Sequence, residues 1–74
     1  MKKEELSIFR EILKKNTGLL RKISENIEIS EMTLRRISIT GIGNEENKNK
    51  ILNYLIDNNY IREGEYTITE FFDI

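Results

Sequence analysis

Arg35-Arg36 is the only adjacent pair of arginines in this chain, and further on Asn49, Lys50 and Asn53 recur at a spacing that puts them on one side of a helix. These residue types share a chemistry. A guanidinium offers a planar fork of donors that fits a phosphate or the O6/N7 edge of guanine. An Asn amide can pair with adenine N6 and N7, and a Lys ammonium can reach guanine or a phosphate. Arg62 is a further cation beside Glu63-Gly64-Glu65. No catalytic constellation accompanies them. The chain has neither histidine nor cysteine to activate its Ser and Thr hydroxyls or to ligate zinc. Thr40-Gly41-Ile42-Gly43-Asn44 is too short to be a phosphate loop, and Glu45-Glu46 reads as helix-start charge. The residues predict no enzyme, no metal site and no cofactor.

Composition bounds what can hold these side chains in place. Seventy-four residues make one small domain. The longest apolar runs are two or three residues, so the sequence predicts neither a membrane span nor a signal peptide, and a soluble, cytoplasmic protein. Ala, Val, Gln, Pro, Trp, Cys and His are all missing, a pattern that AT-rich codons would produce. The net charge of −1 argues against a strongly basic polyanion binder. Its distribution is uneven. Residues 10–50 carry nine basic groups against six acidic, whereas residues 57–74 set Arg62 against five carboxylates.

Periodicity supplies the elements. Leu6, Phe9, Ile12 and Leu13 predict a helix over 2–15, with Glu4 and Glu5 in its first turn and Lys14 and Lys15 in its last. Asn16-Thr17-Gly18 stops it. A second helix is expected over Leu19–Asn26. Ser30 is a good cap for a third over Glu31–Ser38, and Asn44 for a fourth over roughly Glu45–Asn58. Tyr60-Ile61-Arg62 and Glu65 to Thr69 flank Gly64 as two short strand-favouring arms, which predicts a β-hairpin over 60–69 before Phe71-Phe72. The expected fold is therefore mainly α with a small C-terminal β-hairpin, a single domain over 1–74.

The order of elements from Leu19 to Thr69 resembles a winged helix-turn-helix, with 1–16 as an added N-terminal helix, 19–58 as the helical core and 60–69 as the wing. In that register Thr40-Gly41-Ile42 is the turn and residues 45–58 are the recognition helix. Lys48 falls on its buried side. A second register exists. Leu20 to Ile37, LRKISENIEISEMTLRRI, resembles the helix-turn-helix of phage Cro-type and repressor-type proteins, with Ile23, Ser24, Ile27, Ile29, Leu34 and Ile37 at its core positions. There Glu31–Arg36 would be the recognition helix, projecting Met32, Arg35 and Arg36. Glu28 would stand at the turn position usually held by Gly, where positive φ is costly.

Either resemblance implies binding of double-stranded DNA by a small transcriptional regulator, encoded by a phage, virus or plasmid. DNA contacts would come from Arg35, Arg36, Asn49, Lys50, Asn53 and, at the wing, Arg62. Leu6, Phe9 and Leu13 are candidates for a homodimer seam, since such regulators commonly pair through added helices. The alternative is a protein-interaction module on the same scaffold, an assembly subunit or an inhibitor of host machinery, which the near-neutral charge favours.

Overall fold

The computed structural model describes residues 6–73, and within them the chain is five helices. α1 spans Ile8–Lys15, α2 Leu19–Ile27, α3 Glu31–Thr40, α4 Glu45–Asp57 and α5 Ile68–Phe72. α1 starts later than its apolar spacing predicts because Ser7 caps it, its Oγ accepting from the Arg10 N–H at 3.0 Å. The expected positions 2–5, including Glu4 and Glu5, lie outside the described residues. Ser30 and Asn44 cap α3 and α4 in the same manner, accepting from Thr33 N–H at 3.1 Å and Asn47 N–H at 2.7 Å. α3 runs two residues past its expected end at Ser38, to a left-handed Gly41 whose N–H closes on the Ile37 carbonyl at 2.8 Å.

The mainly helical expectation holds, but the C-terminal hairpin is corrected. No strand occurs among the described residues. The tight turn at Gly64 exists (φ 81°), closed by Glu65 N–H on the Arg62 carbonyl at 3.1 Å. Its two arms do not pair. Ile61 is drawn into the core, and Thr67 caps a helix. Thr67 Oγ1 accepts from the Glu70 N–H at 3.1 Å while the Glu70 carboxylate accepts from the Thr67 N–H at 3.0 Å, a reciprocal capping box. An isolated two-stranded arm is at best marginally stable in water. The helix satisfies its own terminus and buries both Phe71 and Phe72. The winged assignment loses its wing.

The helices enclose one core. α2 packs on α3 and α4, α1 on α3 and α5, and α4 on α5. Leu19, Ile23, Leu34, Ile37, Ile51 and Leu55 fill the region between the central helices. Phe9, Phe71 and Phe72 close the base of the fold, Phe9 edge-on to Phe72 at 5.4 Å and Phe71 edge-on to Phe72 at 5.0 Å. Tyr66 lies beside Phe71, its ring tilted and 5.6 Å away centre to centre. Desolvation, reinforced by the Glu65 carboxylate, pushes its phenol above the usual range.

Lys48, expected on a buried side, is half-buried with its ammonium 5.6 Å from the centre of the Phe72 ring. Buried Ser7 also donates to the Ser38 carbonyl at 3.0 Å, tying the start of α1 to the end of α3. Among the described residues no helix is long and apolar enough to cross a membrane.

Candidate nucleic-acid interface

α2 and α3 are joined by Glu28-Ile29-Ser30 alone. Glu28 ends α2 in a left-handed conformation (φ 58°, ψ 40°) and its N–H closes on the Ser24 carbonyl at 3.1 Å. Ile29 then turns inward and is almost wholly buried, and Ser30 opens α3. The sequence counted Glu28 against a helix-turn-helix at this place, because positive φ costs an L-residue about 1–2 kcal/mol. The backbone adopts it nonetheless. Burial of Ile27, Ile29, Leu34 and Ile37 on both sides of the turn outweighs so small a strain.

That turn fixes which side of α3 faces inward. Leu34, Ile37 and Ser38 are buried, so Met32, Arg35, Arg36 and Ile39 share the opposite face at helical spacing. Met32 is 79 % exposed and Ile39 51 %. Both arginines are exposed, and neither forms an ion pair with another described residue. Glu31, at the start of α3, lies 3.7 Å from Arg21 on α2, an exposed pair of little energetic weight that nonetheless gives this carboxylate a partner. Ile42, in the turn that follows the helix, is 71 % exposed.

The other predicted contact residues stand on different elements. Asn49, Lys50 and Asn53 are exposed together on α4, where Lys50 lies 3.8 Å from Glu46 one turn earlier. Arg62 is exposed in the turn between α4 and α5, where Glu63 and Glu65 flank Gly64 and the Arg62 N–H is held by the Glu65 carboxylate at 3.0 Å. Of the expected dimer seam, Phe9 is withdrawn. It is fully buried against Phe71 and Phe72, leaving Leu6 and Leu13 half-buried on either side.

Two surface residues were missed in the sequence, Ile39 and Ile42. Ile39 could have been found by extending the 32, 35, 36 spacing by one more turn. Ile42 could not, because its exposure depends on how the α3–α4 turn sits against Ile37. No protein-family model, characterised protein or solved structure matches this chain.

Proposed function

We propose that this chain binds double-stranded DNA by laying α3 in the major groove, as a small transcriptional regulator of the Cro-type or repressor-type helix-turn-helix class. One observation carries this reading. Two helices meet through a three-residue turn with a left-handed first residue and a buried second, and the second helix presents two arginines that no described carboxylate neutralises. A helix of ten residues is about 15 Å long, enough to enter a groove about 12 Å wide. Arg35 and Arg36 would meet phosphate or guanine from its exposed side. Lys50, Asn49 and Asn53 on α4 and Arg62 are second-rank contacts, since carboxylates accompany Lys50 and Arg62. Pairing of two copies on a two-fold site would strengthen a weak single contact.

The rival reading, a protein-interaction module that does not touch DNA, is supported by the exposed Met32, Ile39 and Ile42 and by the net charge of −1. Fluorescence anisotropy on a generic labelled duplex at rising salt separates the two. A DNA binder weakens steeply as salt rises, and the Arg35→Ala, Arg36→Ala double variant lowers the slope of log K against log salt by roughly two. Absence of binding at low salt rejects the DNA reading.

A further inference from the structure

We infer that Met32, Ile39 and Ile42 recognise thymine methyl groups, so that the preferred DNA sets thymines on both sides of the guanines met by Arg35 and Arg36. The inference rests on the DNA-binding reading above and names the sequence class that this same face selects.

The exposed large apolar side chains of the described chain are these three, and all lie on α3 or in the turn that follows it. The fold does not lack room for apolar groups, since eleven others are buried in its core. Nor is Ile42 left loose. The Thr40 hydroxyl donates to the Arg36 carbonyl at 2.7 Å and accepts the Ile42 N–H at 3.1 Å, fixing the backbone there. Gly43 lies so close to the core that a Cβ on it would stand 2.8 Å from Ile37 Cγ1, so the turn is seated against α3 with Ile42 outward.

The ligand must therefore offer apolar points and anionic or acceptor groups alternately along one line. The major groove does so. Thymine places a methyl group beside its O4, guanine offers O6 and N7 to an arginine, and phosphates line both walls. The scale also agrees. Met32 and Ile39 are seven residues apart, about 10.5 Å along the helix, or roughly three base-pair steps of 3.4 Å. Arg35 and Arg36 fall between them.

The test selects a randomised duplex library on the protein and reads the retained sequences. Thymines should be enriched within about one or two base pairs on either side of a guanine. In the best-retained duplex, each enriched thymine is then replaced by deoxyuridine, which removes only the methyl. At contacted positions the affinity should fall about fourfold, the worth of one buried methyl. Ile39→Ser should erase that thymine-over-uracil preference at its own position while the preference at the position met by Met32 persists. Binding without thymine enrichment, or with affinity indifferent to uracil, overturns this inference and leaves the DNA reading standing. Failure of the whole library to bind at low salt rejects both and assigns the face to a protein partner.

Discussion

The base of the fold and the outer face of α3 are built from similar residue types and treat them in opposite ways. At the base, Phe9, Phe71 and Phe72 meet ring to ring and exclude water completely. On α3, Met32 and Ile39 stand in solvent beside two arginines. Ten residues of α3 thus carry both a core stripe (Leu34, Ile37) and an unburied one. The first follows from the demands of folding. The second has no partner within the described chain, which is why function is placed there.

The contrast can be broken most sharply at the base. Phe9→Ala should cost about 3–5 kcal/mol, a large part of the roughly 4–11 kcal/mol expected in total for a domain of this size. Urea or thermal unfolding followed by circular dichroism measures it. A loss below about 1 kcal/mol would return Phe9 to the dimer seam and remove the aromatic base.

Between the two regions lies the turn that orients α3. Glu28→Gly should raise stability by about 0.5–1 kcal/mol, because glycine accepts the left-handed backbone that strains glutamate. The same unfolding curves report it, and a decrease would show that the Glu28 side chain itself anchors the turn.

The smallest effect belongs to the outer face. Met32→Ser with Ile39→Ser should change stability by no more than about 0.5 kcal/mol, since neither side chain is packed. A cost above about 1.5 kcal/mol would mean that this face is already covered, by a second copy or by the chain itself, and concentration-dependent melting would distinguish those cases.

Much of the scaffold was legible locally. Ser30 and Asn44 sit where capping chemistry puts them, and Gly18 and Gly41 take the positive φ that helix ends require. Between Leu19 and Ser38, spacing showed Ile23, Leu34 and Ile37 as core positions and left Leu19 and Leu20 open, whereas Ile29 entered the core only through the helix-turn-helix resemblance. The end of the chain was misread at Thr67-Ile68-Thr69-Glu70, whose β-favouring residues suggest a strand. The same four residues are also a capping box, and the pair of phenylalanines after them decides between the two. The site was half visible, as Met32, Arg35 and Arg36 in one of two registers.

By itself the sequence determined where helices start and stop, because caps, turns and side-chain periodicity act within about four residues. The tertiary structure decided that residues 60–69 form a turn and a helix start instead of a hairpin, and that Phe9 lies inside while Ile39 and Ile42 lie outside. Each of those outcomes depends on which distant surface an apolar side chain meets. Burial is a non-directional, long-range preference that spacing along one helix cannot assign.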